Sequence, residues 1–152
     1  MISIAEEFAR LLHETARSWR HEFDHRLRPL GLSQAKGLAL IHLARAGVLT
    51  QKDLATRLGI EGPTLVGLLD RLSADGWIER HEAAHDRRSK TVSLTEGAQP
   101  VLKEINRIAA ELRTELLHDI RADALRSCND ILRQVQQRAT ALTHPGEDGN
   151  DT

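Results

Sequence analysis

Both ends of this chain carry long amphipathic patterns that its middle is too small to cover. Residues 4–28 place Phe8, Leu11, Leu12, Thr15, Trp19, Phe23 and Leu27 at three- and four-residue steps with charges between them, as a long helix with one apolar face requires. A second stripe follows Thr95 through Val101, Leu102, Ile105, Ile108, Leu112, Leu116 and Leu117. A third holds Leu125, Cys128, Ile131, Leu132, Val135, Ala139 and Leu142. Between them lies a middle of only about 60 residues, too small a unit to bury three wide stripes. The terminal helices therefore need each other and a second copy of the chain, and a two-fold homodimer built from both ends is expected.

The middle is punctuated by helix signals. Pro29 and Gly31 stop the first helix, Ser33 is a good N-cap for the second, and Gly47 closes it. Thr50-Gln51-Lys52-Asp53 opens a short third helix with a capping-box-like spacing, ended by Gly59. Pro63 sits where a first-turn proline belongs, and a fourth helix runs to about Ala74 before Gly76. Then the pattern changes: Trp77–Arg80 and Thr91–Leu94 are short β-prone pieces flanking a polar stretch, His81 to Lys90. They predict a two-stranded hairpin with a long charged loop. Pro100 falls in the second turn of the following helix and should bend it. The expected fold is mainly α with a small β-hairpin: one domain over 1–144, a winged helix-turn-helix at about 33–95, and dimerisation helices at about 4–30 and 96–143. Residues 145–152 form an acidic tail expected to be disordered.

Composition removes several functions. Lys plus Arg total 21 against 22 Asp plus Glu, so the overall charge of -1 argues for no particular partner. The acidic tail hides a small basic excess in the remainder. Aromatic residues make up 3% of the chain and Tyr is absent, which disfavours a single-strand binder that stacks bases. The lone Cys128 excludes an intrachain disulfide framework and any multi-cysteine zinc site; on the apolar face of the last helix it reads as a buried structural thiol rather than a redox sensor. His21 and His25 lie one helical turn apart, a spacing that suits two metal ligands, but with no thiolate nearby they read as solvated or interface histidines and no metal is expected. No Gly-x-Ser-x-Gly, Gly-rich phosphate loop or His-Glu-x-x-His occurs, so no enzyme is expected, and no cofactor. With neither a signal-like N-terminus nor a membrane-length apolar run, the expected setting is the cytoplasm, with no membrane partner.

The fourth helix carries the strongest functional pattern. Leu65, Leu68, Leu69 and Leu72 share one face, leaving Pro63, Thr64, Gly67, Asp70 and Arg71 on the other. A helix with small and polar groups outward can enter a major groove, and its first-turn N–H groups can bind phosphate. The hairpin segment His85-Asp86-Arg87-Arg88-Ser89-Lys90 sets three cations against one carboxylate, and Arg suits a narrow minor groove. Periodicity alone leaves open a winged helix that binds protein rather than DNA, or a merely solvated loop.

A longer set of motifs adds to this pattern. Leu54-Ala55-x-x-Leu58-Gly59-Ile60-Glu61-Gly62-Pro63-Thr64-Leu65-Val66 runs on through Leu69-Asp70-Arg71-Leu72 and Asp75-Gly76-Trp77-Ile78-Glu79-Arg80. It closes with Asp86-Arg87-Arg88-Ser89-Lys90 and Leu94-Thr95-Glu96-x-Ala98. Over roughly residues 8–142 the chain resembles the MarR family of bacterial transcriptional regulators. Ser18-Trp19-Arg20 and Asp24-His25-Arg26-Leu27-Arg28-Pro29-Leu30 resemble its SlyA-like branch. The resemblance implies a homodimer that regulates transcription, most simply by repression, from a pseudo-palindromic operator in double-stranded DNA. It implies that Arg87 contacts the minor groove, that Asp86 pairs with Arg88 to hold the wing, and that Pro63 and Thr64 face the major groove. Thr50 and Gln51 would touch phosphates, and Gly67, Arg71, Arg88 and Lys90 complete the candidate DNA-binding set.

Two positions depart from the branch. Gly67 stands where many relatives place a base-reading arginine, and Gly37 replaces a bulky aromatic, which should enlarge or empty the region where relatives bind small aromatic carboxylates. Such an effector would sit between the first two helices and the DNA-binding unit. Arg17, Arg20 and Lys36 could clamp its carboxylate with Trp19 as an apolar wall and Ser33 nearby; the same cations could instead pair with Glu14, Glu22 or Asp24.

Overall fold

The computed structural model describes residues 1–143, apart from the side chain of Arg87; the expected acidic tail at 145–152 lies outside the described residues. Helix α1 spans Ile4–Leu27 and opens with a capping box: Ser3 accepts the Glu6 N–H at 3.1 Å, and the Glu6 carboxylate accepts the Ser3 N–H at 2.7 Å. Those bonds hold the Glu6 carboxyl below its usual range. After a 3-10 turn at Arg28–Leu30, Gly31 at φ 71° releases the chain into α2, Gln34–Ala46. Asp24 ties the two helices by accepting the Gln34 N–H at 3.0 Å, and this bond, foremost, lowers its pKa. Strand β1 (Val48–Thr50) precedes α3 (Gln51–Leu58) and α4 (Gly62–Ala74). Strands β2 (Ile78–Ala83) and β3 (Asp86–Leu94) follow, then α5 (Gln99–Leu116) and α6 (Ala122–Thr143).

The chain divides into two compact units, one ending at Arg113 and one beginning at Thr114. In the first, Leu27, Leu40, Leu43, Leu54, Leu65, Leu69, Leu72, Val92, Ile105 and Leu112 are fully buried in one core. The leucine face of α4 predicted from its spacing is therefore the face that packs. In the second unit no side chain of α6 is buried, and Cys128 is exposed. This corrects the expectation of a buried thiol: in the single chain the apolar stripe of α6 is at most half-buried. The N-terminal half of α1 behaves likewise, with Ile4, Phe8 and Leu11 all exposed and only Phe23 and Leu27 buried.

The hairpin differs from its sequence reading in an informative way. The stretch 81–90 is no long loop; it belongs to β2 and β3 except for a turn at Ala84 and His85, with a register shift between Glu82 and Ala83. Both faces of this ribbon are polar, so no apolar alternation marks the strands, while the backbone ladder still forms. Strand β1 also pairs with β3, making a three-stranded antiparallel sheet of order β1-β3-β2 where two strands were expected. At its far end the Thr95 hydroxyl donates to the Gly76 carbonyl at 2.7 Å rather than capping a helix. A 3-10 turn at Glu96–Ala98 follows, which moves Pro100 into the first turn of α5, where its missing N–H has no intrahelical duty.

Gly37 opens no void. A Cβ there would lie 2.7 Å from Leu27 Cδ1 and 3.6 Å from the Phe23 ring, so α1 side chains already occupy that space. Gly37→Phe should accordingly destabilise the protein by about 1–3 kcal/mol through overpacking, measurable by urea unfolding. An unchanged unfolding midpoint would mean that α1 and α2 separate freely.

Candidate nucleic-acid interface

Helix α4 begins with Gly62 and Pro63, and its N-cap residue, Glu61, makes no side-chain capping bond. Pro63 and Thr64 are exposed in this first turn, where the Gly62 and Thr64 N–H groups lack a capping side chain. Farther along the outward face, Gly67 is half-buried and Arg71 is exposed. A Cβ at Gly67 would meet only an Arg71 guanidinium nitrogen, at 3.7 Å. Also on this face, the Asp70 carboxylate accepts a 2.7 Å bond from Arg80 of β2. The helix and the wing are thereby linked through side chains that both remain partly in water.

At the wing, Asp86 Oδ1 accepts the backbone N–H of Arg88 at 2.9 Å. The pairing of Asp86 with Arg88 is thus made through the main chain, which shapes the turn and leaves the guanidinium outside this bond. Gln51 and Lys52 from the start of α3 meet Asp86, Arg88, Ser89 and Lys90 around an open cleft of about 530 Å³. A second, of about 260 Å³, is lined by Gln51, Arg80, His81, Glu82 and Lys90. Thr50 caps α3, its hydroxyl oxygen accepting the Asp53 N–H at 3.0 Å, and its O–H stays available as a donor. Sequence reasoning missed Lys52 and Arg80; only the folded ribbon brings Arg80 beside α4 and Lys52 beside the wing.

A separate cavity of about 330 Å³ lies within the first unit, among α1, α2 and α5. Of the five residues expected to hold an effector, Trp19 and Arg20 line it. Arg17, Ser33 and Lys36 do not: Ser33 Oγ accepts the Lys36 N–H at 3.2 Å as the α2 cap, and Lys36 Nζ bonds Asp75 at 3.0 Å. His42, Arg45 and Arg113 supply the polar wall instead. Burial first, then the charges of Arg57 and Arg45, depress the His42 pKa below its usual 6.5. This histidine therefore favours the fold above pH 6.5 and withdraws that contribution as pH falls through its lowered value. His21 lies close enough to Asp24 to help lower its pKa, and among the described residues no three His, Cys, Asp or Glu side chains converge on a possible metal site.

A short helix, a turn, an exposed second helix and a pinned β-ribbon define a winged helix-turn-helix protein. The MarR family profile matches residues 30–89. The crystal structure of transcriptional regulator PA3341 is 42% identical, with a TM-score of 0.82 over 88% of this chain and 98% of that one. A mutant MarR from E. coli, complexed with operator DNA, is 26% identical, with a TM-score of 0.75 over 88% of this chain and 98% of that one. AbsC, a MarR family transcriptional regulator from Streptomyces coelicolor, shares the fold at 21% identity, with a TM-score of 0.81 over 93% of this chain and 98% of that one. The chain belongs to the MarR family of transcriptional regulators. Among its described residues no helix is long and apolar enough to cross a membrane.

Proposed function

We propose that this protein is a cytoplasmic, SlyA-like transcriptional repressor that binds a pseudo-palindromic operator as a homodimer. The observation that carries the reading is the Asp70–Arg80 bond, which holds the outward face of α4 against the first strand of the wing. A helix and a ribbon held in one relation can engage a major groove and the neighbouring minor groove together. Pro63, Thr64, Gly67 and Arg71 face the major groove, with the uncapped first turn of α4 toward a phosphate. Thr50 and Gln51 touch the backbone, Arg88 and Lys90 add charge along the cleft, and Arg87 enters the minor groove while Asp86 holds the turn. The relative of this fold complexed with operator DNA supports the DNA partner. The exposed apolar residues of the terminal helices, among them Ile4, Phe8, Ile131 and Leu142, support a second copy of the chain as the other partner.

The cavity is the place for a small aromatic carboxylate effector. Its wall combines Trp19, Phe23 and Leu38 with Arg20, Arg45 and Arg113, and no carboxylate lines it. Such a ligand releases DNA only by its differential affinity for a form whose lobes no longer match the operator.

Selection of bound fragments from genomic DNA tests the function. The expected product is a two-fold motif whose half-sites are about 10–10.5 bp apart, centre to centre. Recovery of no preferred sequence at moderate salt would sink the assignment and favour a protein-binding winged helix.

A further inference from the structure

We propose that His42 is a proton-coupled ligand-binding residue of the α1–α2–α5 cavity, so that an anionic aromatic effector enters together with a proton taken up by the imidazole. The inference rests on the effector reading above and adds to it a residue and a regulation by pH.

The cavity wall is one-signed. Arg20 faces it from α1, Arg45 from α2 and Arg113 from α5, while Arg57 of α3 acts on His42 electrostatically. The other elements packed on α2, which are β1, β3 and α4, contribute no residue to this wall. Three arginines thus line the cavity, and among the described residues no carboxylate does. In that field, and half-buried, the imidazole is held neutral near pH 7. An anion seated among the same groups reverses the field at His42, because its charge opposes those of Arg45 and Arg57. Protonation then becomes favourable, and the imidazolium adds a charge-assisted donor to the ligand. By linkage, effector binding and proton uptake strengthen one another equally. Affinity is highest below the pKa of His42 in the empty protein, falls across the interval, and levels off above its pKa in the complex. Each pH unit within that interval changes affinity up to about tenfold.

The cavity also sets the class of ligand. Its volume of about 330 Å³ is at the lower end for ligand sites, which run from roughly 300 to 1,000 Å³. With Trp19, Phe23 and Leu112 as apolar walls, it suits a single aromatic ring bearing one acidic group.

Benzoate is the probe, with benzamide as its uncharged counterpart, on full-length protein without DNA. Benzoate remains an anion from pH 5.5 to 8.5, so any pH dependence belongs to the protein. Calorimetry in buffers of different ionisation enthalpy should show proton uptake with benzoate and not with benzamide. Benzoate affinity should fall at least fivefold across the range, and His42→Gln should flatten the profile while retaining the affinity seen at high pH. Should that variant fold poorly, the His42 ring resonances of the unsubstituted protein should titrate at higher pH with benzoate than without it. Binding that is independent of pH and buffer overturns the role of His42 and leaves the effector cavity standing. No benzoate binding at any pH overturns both.

Discussion

Arg87→Ala should weaken binding to the proposed operator by about 1–3 kcal/mol, roughly 5- to 150-fold, while leaving the oligomeric state and thermal midpoint unchanged. Arg87 is the second residue of β3, just beyond the turn at Ala84 and His85, and therefore at the tip of the ribbon. The backbone there is held by the Asp86 carboxylate on the Arg88 N–H, independently of the residue at 87. A wing tip so held places position 87 at the end of the ribbon, and alanine there removes one cation without disturbing the support. The slope of log affinity against log salt should fall by about 1 for each wing engaged. Mobility shifts at several salt concentrations measure both effects. Unchanged shifts at moderate salt would remove Arg87 from the interface and, with it, the proposed mode of binding.

The second large effect concerns stability and distinguishes the two faces of α4. Leu69 is fully buried, and Leu69→Ala should cost about 2–5 kcal/mol by lost transfer energy and a residual cavity. That is a large share of the roughly 5–15 kcal/mol that holds an ordinary domain together. Gly67, two residues earlier, faces outward with helical backbone, and a Cβ there would make only ordinary contact with the Arg71 guanidinium. Gly67→Ala should therefore gain about 0.5–1 kcal/mol, because the unfolded chain loses freedom that the helix does not need. Chemical denaturation of the two variants side by side checks the assignment of faces. A destabilised Gly67→Ala, or a neutral Leu69→Ala, would mean that the helix is rotated from its described position.

Much of this architecture was legible in the chain because helices announce themselves locally. The stripe Leu65, Leu68, Leu69 and Leu72 matches the buried face of α4, and Ser33, Thr50, Gly31, Gly47 and Gly59 mark helix boundaries. The wing was harder to read. Beyond Arg80 its strands lie between two solvated faces, and what holds them is main-chain pairing, from Ile78 with Leu94 to Ala83 with Asp86, that no local apolar pattern announces. Strand β1 is three residues long and was invisible for the same reason, as it exists only where β3 offers an edge. The candidate DNA-binding residues could be proposed as a set, since they fall in three short segments, 50–51, 63–71 and 87–90. The cavity was not: Trp19 and Arg20 were found, but His42, Arg45 and Arg113 come from α2 and α5, and no spacing in the chain relates them to α1.

Local pattern alone therefore determined the six helices, their apolar faces, the place of the hairpin and the concentration of cations near its tip. Each depends on residues within a turn or two of one another, where backbone geometry converts spacing directly into a shared face. Tertiary structure decided what sequence distance conceals. Lys36, read as an effector clamp, turns to Asp75, because α2 and the end of α4 meet only in the folded protein. Gly37, read as a gap, is filled by Leu27, because close-packed helices move together when a side chain is missing. Arg80 becomes the link between helix and wing by the same logic: an ion pair is set by distance in space, and the strand carrying Arg80 returns alongside α4.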